Sequence, residues 1–241
     1  MRKYLVNTLV VIALIAAACN PGPRAESGSD TTGGSASSAV SVEEAQTAAN
    51  GYFDAFNSGD TNAVLTWFPS NAEFSDNFTG SIPRESWEQR LAWNMAQGTT
   101  LDNPDCVATD GDANGNRTVT CESGTRNAQI QAVGARPVST LVTLLVTPNG
   151  IETLNEEFGQ PDFLLATQPF MEWMASENPE DASKVGFDVW DSVDQAEVNG
   201  KLTADYSRQW AAYLELTCIY IPDLIEPESD SYLDDCGFIG R

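Results

Sequence analysis

An α+β domain is what this sequence predicts: an antiparallel sheet preceded by three N-terminal helices and followed by a C-terminal helical extension. Three observations predict it. Apolar residues recur at helical spacing between Ala45 and Met95, strand-type alternation takes over after Leu101 and lasts to Phe158, and helical spacing returns around Trp210.

Residues 1–18 read as a signal peptide. Arg2 and Lys3 supply the positive n-region, residues 5–15 the apolar run, and Ala16-Ala17-Ala18 the small residues before a cut. The run is shorter than the roughly 20 apolar residues that cross a bilayer, and Pro21-Gly22-Pro23 follows it. A Cys directly after the cut resembles the lipobox of bacterial lipoproteins, whose thiol takes a diacylglycerol. Cys19 is therefore the expected lipidation site, the membrane an expected partner through that anchor, and the extracytoplasmic side of the cell membrane the expected location. Plain secretion with a free Cys19 is the other reading. Residues 19–40, rich in Gly, Ser, Thr and Pro, form a flexible tether.

The main domain is expected over residues 41–165. Ser41 and Glu44 have capping-box spacing, and Ala45, Ala49, Tyr52, Phe53 and Phe56 follow at helical spacing until Asn57-Ser58-Gly59. Asp60 caps a shorter helix carrying Val64, Leu65, Trp67 and Phe68, which Pro69 ends. Residues 72–78 read as a short strand, and Pro83 opens a third helix with Trp87, Leu91 and Met95 on one face. Residues 106–109 and 117–122 flank a polar turn as a hairpin would. Residues 138–147 are the clearest strand, one face apolar and the other mixed but not solvent-like. Pro148-Asn149-Gly150 turns the chain into a last strand, 151–158. Residues 166–241 form the extension, whose stripe of Leu202, Tyr206, Trp210, Tyr213 and Leu214 is expected to cover the mixed sheet face.

Beyond Cys19 there are four cysteines, and export makes disulfides the expectation. Three pairings exist in principle. The local one, Cys106 with Cys121 and Cys218 with Cys236, closes two short loops, each stabilising by about 3 kcal/mol in the chain-entropy picture.

The net charge is −23, two units more negative once the leader takes Arg2 and Lys3 away. Such a surface repels polyanions, which argues against nucleic acid as a partner. With no histidine, His-type zinc sites and Ser-His or Cys-His nucleophile pairs are absent, and no cofactor motif appears. Asp110, Asp112 and Asn114 with Gly115 reproduce the start of a calcium loop. Its twelfth place is Cys121 instead of Glu, so a hairpin turn is the preferred reading over a metal site.

Three segments carry a resemblance to a known family: Gly51-Tyr52-Phe53-Asp54-Ala55-Phe56-Asn57-Ser58-Gly59-Asp60, then Asn71-Ala72-Glu73-Phe74-Ser75-Asp76, then Pro148-Asn149-Gly150-Ile151. Together they resemble the nuclear transport factor 2-like superfamily, which includes ketosteroid isomerases, scytalone dehydratase and small polyketide cyclases. That resemblance implies the bent cone, and it places an oxyanion donor at Tyr52 and a general base at Asp76. The acid that completes such an oxyanion hole would fall near residues 139–141, where none is acidic. As catalytic candidates Tyr52 and Asp76 thus stand alone, and Asp76 reads equally as the first residue of a turn. The expected function is a non-catalytic module for an apolar small molecule, with Tyr52, Phe56, Trp67, Asp76 and Trp93 as ligand-binding candidates. The alternatives are a cofactor-free isomerase, dehydratase or cyclase using Asp76 and Tyr52, and a protein-protein adaptor whose sheet face recruits a partner or a second copy.

Overall fold

The structure, a computed structural model, describes residues 39–185 and 190–217. The leader, Cys19 and the tether as far as Ser38 lie outside the described residues, as do Cys218 and Cys236.

Helix α1 (Val42–Asn57) starts on the expected capping box, with Glu44 N–H donating to Ser41 Oγ at 3.1 Å and Ser41 N–H to Glu44 Oε2 at 2.8 Å. Asp60 caps α2 (Thr61–Leu65) through the Ala63 N–H. A hairpin of β1 (Glu73–Asp76) and β2 (Gly80–Ile82) follows, then α3 (Arg84–Ala96). The strands β3 (Thr100–Ala108), β4 (Arg117–Arg126), β5 (Val138–Thr147) and β6 (Gly150–Phe158) come next, with a short α4 (Ala128–Ala132) between β4 and β5. The extension contributes α5 (Gln160–Glu177), a 3-10 turn at Ala182–Lys184 and α6 (Val193–Thr217). Neither β2 nor α4 is apparent from periodicity, since each is too short to repeat a pattern.

The six strands form one sheet in the order β2-β1-β6-β5-β4-β3. Strands β3 to β6 are the expected antiparallel meander. Strand β1, however, joins β6 in parallel, with Asp76 opposite Glu156, so the sheet is mixed where antiparallel pairing was expected throughout. Local alternation fixes which side chains share a face but not the direction of a partner some 80 residues away. Register shifts between Asp102 and Asp105 and between Leu145 and Val146 bend the sheet. Pro104 sits in β3 without harm because β3 is an edge strand. Cys106 and Cys121 are direct register partners and form a disulfide, as the hairpin reading expected.

The concave side of the sheet closes on α1 and α3. Tyr52, Phe53 and Phe56 meet Phe68, Phe74, Trp87, Val142, Leu144 and Leu154 in the main core, where the Phe74 and Trp87 rings stack at 4.0 Å. Trp67 lies against Gly51, at which a Cβ would come within 2.0 Å of its ring.

The extension does not lie where the stripe suggested. Helix α6 packs on α3 and α4, not principally on the mixed sheet face, where Leu141, Thr143 and Leu145 remain half-buried. The reason is the composition of its inner face: Gly200, Thr203, Ala204 and Ser207 are small, which lets one helix approach another closely. A Cβ at Gly200 would lie 2.5 Å from the Trp93 carbonyl oxygen and 2.7 Å from Ala96 Cβ. Further along, Trp210 and Leu214 join Phe170, Met174 and Val185 in a second cluster. Helix α3 is consequently buried on several sides, with Trp93 fully buried against Trp190.

Gly200→Ala therefore forces α6 off α3. Overpacking of this kind costs roughly 1–3 kcal/mol. Urea unfolding should show the loss, and a melt equal to wild type would mean that α6 is not braced on α3.

Candidate functional site

Asp76 ends β1 and begins the turn into β2. Its Oδ1 accepts the backbone N–H groups of Phe78 at 2.8 Å and Thr79 at 2.5 Å, which is the geometry of an Asx turn. Its Oδ2 faces the Arg90 guanidinium, presented from α3, in a short ion pair. Arg90 also donates through Nη2 to Thr79 Oγ1 at 3.3 Å. Both members of the pair are buried, at 5% and 7% exposure.

The parallel β1 to β6 register then sets Glu156 beside Asp76. Glu156 is 8% exposed, and its Oε1 accepts the Tyr52 hydroxyl at 3.4 Å. These groups form one end of a cavity of about 250 Å³ whose apolar walls are Phe56, Phe78, Leu101 and Phe158. An apolar cavity of about 150 Å³ accommodates a benzene, so this one has room for a larger small molecule.

Two carboxylates share one guanidinium, and their environments drive them apart. Burial would raise Asp76, but the Thr79 N–H, the Arg90 guanidinium and the Phe78 N–H outweigh it and hold this carboxyl below its ordinary value. Burial dominates at Glu156 and, with the Asp76 charge, outweighs Arg90 and the Tyr52 hydrogen bond, raising it to about 7. Burial and the Glu156 charge push the Tyr52 phenol well above its usual range, so it stays a neutral donor. Chemically, Asp76 is a fixed anion already satisfied by three partners, whereas Glu156 can give or take a proton near neutral pH.

Of the residues singled out from the sequence, Asp76 and Phe56 line the cavity. Tyr52 stands behind Glu156 and reaches the cavity only through it. Trp67 packs at Gly51 and Trp93 against Trp190, away from the cavity. Sequence reasoning missed Arg90 and Glu156. Glu156 had a signal, since it shares inner-face parity with Leu154 and Phe158 on β6, and Arg90 lies three residues after the core residue Trp87. No acid stands near residues 139–141; Glu156 lies one strand away, on β6 opposite Val142.

At the β3 to β4 turn, Asp112 Oδ1 accepts the N–H groups of Asn114 at 2.8 Å and Asn116 at 2.9 Å, and Asp110 and Asn114 are exposed. The side chain thus holds the turn's own backbone. No cluster of three or more Asp, Glu or Cys side chains suited to a metal occurs among the described residues.

No family model matches the sequence, and no curated protein matches it. Solved structures are similar to about half of the chain. They include the epoxide hydrolase/cyclase-like enzyme SalBIII of pyran ring formation in salinomycin, at 17% identity over 49% of this chain and 93% of that one, with a TM-score of 0.41. A SnoaL-like protein of unknown function from Burkholderia thailandensis is 14% identical over 50% and 98%, with a TM-score of 0.38. A nuclear transport factor 2-like protein of unknown function from Cytophaga hutchinsonii is 11% identical over 52% and 96%, also at 0.38. At this distance the likeness carries no argument about activity.

The two acids have opposite effects on stability. Glu156 is raised in the folded state, so its stabilising contribution is present below about 4.5 and lost as the pH rises through about 7. At pH 8 the folded chain carries this buried charge at a cost of about 3 kcal/mol. Glu156→Gln should be more stable than wild type at pH 8 and close to it at pH 4, as read by thermal melts. Asp76 is lowered, so its contribution is present above the ordinary carboxylate range and lost as the pH falls below it. Asp76→Ala strands a buried guanidinium and should cost about 3–5 kcal/mol at pH 7. A loss under about 1 kcal/mol would show that the turn alone matters.

Proposed function

We propose that this chain is a small-molecule-binding module with a nuclear transport factor 2-like domain, held on the extracytoplasmic face of a membrane by a lipid on Cys19. One observation carries the binding reading: an open cavity walled by three phenyl rings and a leucine, closed at one end by Asp76, Arg90 and Glu156. Apolar walls with a few convergent polar groups are the usual composition of ligand pockets. A cone filled by its own Trp and Phe side chains would have favoured the adaptor reading, but Trp67 and Trp93 pack elsewhere and do not line the cavity.

The anchoring part is supported by the sequence alone, through the leader, Ala16-Ala17-Ala18 and Cys19. The Cys106 to Cys121 disulfide is in keeping with an oxidising compartment. No helix among the described residues is long and apolar enough to cross a membrane.

A second reading has its own observation. A carboxyl group titrating near 7 inside a cavity suits proton transfer, and in that case Glu156, not Asp76, is the acid-base group. Asp76 then fixes Arg90, and Tyr52 orients Glu156.

Native mass spectrometry of protein from its own host should show a bound small molecule that Leu101→Trp, which fills the cavity, removes. Retention of the molecule by that variant would place it elsewhere. Cys19→Ala should move the protein from the membrane fraction to the soluble one, and a variant still bound to membrane would defeat the anchor.

A further inference from the structure

Charge and hydrogen-bond accounting inside the cavity narrows the class of molecule it takes. This step rests on the small-molecule-binding reading. Among the described residues three charged side chains line the cavity, Asp76, Glu156 and Arg90, and the guanidinium engages Asp76 and Thr79. Glu156 receives only the long Tyr52 hydrogen bond on Oε1. Its Oε2 accepts no hydrogen bond among the described residues, although the residue is more than nine-tenths buried and lines the cavity. An ionised carboxylate in that position lacks a partner, and a buried charge without one is costly.

A neighbouring hydroxyl adds to this. Thr99 donates to Asn94 Oδ1 and faces the cavity as an acceptor. The amide N–H groups of Asn94 offer donors at the same wall. Phe78 and Phe158 lie 5.9 Å apart at a tilt of 31°, two π faces of the kind that attract an organic cation. The chain as a whole carries −23, a field that draws cations in and keeps anions out.

We propose that the ligand is an organic cation, a protonated amine on an apolar body, whose N–H groups are taken by Glu156 while its body lies among Phe56, Phe78 and Phe158. An anion would meet two carboxylates and an arginine already engaged. A neutral molecule would leave the ionised Glu156 without a counter-charge. With an ammonium in place, two cations match two carboxylates among the described residues of the wall.

The groups facing Glu156 from the elements around it are Tyr52 on α1, Asp76 on β1 and Arg90 on α3. Tyr52 stays neutral, while Asp76 and Arg90 stay charged, between pH 5 and 9, so Glu156 alone changes state in that window. An alkylammonium keeps its proton to about pH 10. Below about 7 an incoming ammonium must displace the Glu156 proton, so amine affinity rises with pH to about 7 and then levels.

The test uses three probes of one shape: 3-phenylpropylamine, 3-phenylpropan-1-ol and 3-phenylpropanoate. Calorimetric titrations of the detergent-solubilised full chain at pH 8 should give the amine at least about tenfold tighter than the alcohol, with the carboxylate weakest. That preference should shrink at pH 5, and Glu156→Gln should bring the amine down to the alcohol's affinity. The alcohol or the carboxylate binding as tightly as the amine overturns the proposal, as does an amine preference that survives Glu156→Gln. Alcohol binding that Leu101→Trp abolishes, without any preference for the amine, overturns the cation and leaves the cavity a binding site. Failure of all three probes overturns the cation proposal and removes support from the binding reading with it.

Discussion

A single guanidinium has to serve two carboxylates that the sheet register places side by side. Strands β1 and β6 run parallel with Asp76 opposite Glu156, and like charges directly opposite one another on a sheet repel. The fold resolves this by giving the two acids different surroundings. Asp76 collects two backbone N–H groups and Arg90, because the chain turns immediately after it. Glu156 lies inside a continuous strand, where its own backbone is engaged with β5 and β1, so no turn amide is at hand and burial governs it. The difference between an anion held low and an acid poised near neutrality follows from where each sits along its strand.

The same ion pair ties three parts of the molecule together. Arg90 belongs to α3, Asp76 to the β1 to β2 hairpin, and Glu156 to the last strand of the meander, so the position of α3 decides the geometry of the cluster. Two features hold α3 there: Trp87 stacks on Phe74 from the core side, and α6 approaches closely behind it at Gly200. The extension is thus a mechanical part of the site although, among the described residues, Thr167 on α5 is its only contribution to the cavity wall.

Most of the framework is legible locally. The Ser41 capping box, Asp60 and the alternation of Val138–Thr147 encode their elements within a few residues of sequence, and the disulfide was readable because Cys106 and Cys121 flank one hairpin turn. The site is less so, since it arises from contacts across long sequence separations. Tyr52 and Asp76 were visible through the resemblance. Their meaning changed once Arg90 and Glu156 were in place, because a local sequence cannot show that a strand residue faces an acid 80 positions earlier or that a helix presents an arginine to both. Trp67 and Trp93 were misplaced for the opposite reason. Apolar aromatics look alike whether they line a cavity or fill a core, and packing alone separates them.

An ionisable residue at position 156 is not what the sheet itself requires. Leu154, two residues earlier on the same inner face, and Val142, its register neighbour on β5, are fully apolar and buried. An apolar side chain at 156 would extend that surface without the repulsion from Asp76, and Arg90 would still have its partner. The cost of Glu156 is therefore set against something other than folding. Among the described residues the Glu156 carboxyl accepts only the Tyr52 hydrogen bond and lines the cavity, so a further partner for it would come from the cavity side. A ligand that pairs with this carboxyl would return the stability lost at this strand position, so on the binding proposal occupancy and the charge state of one side chain are two views of a single equilibrium.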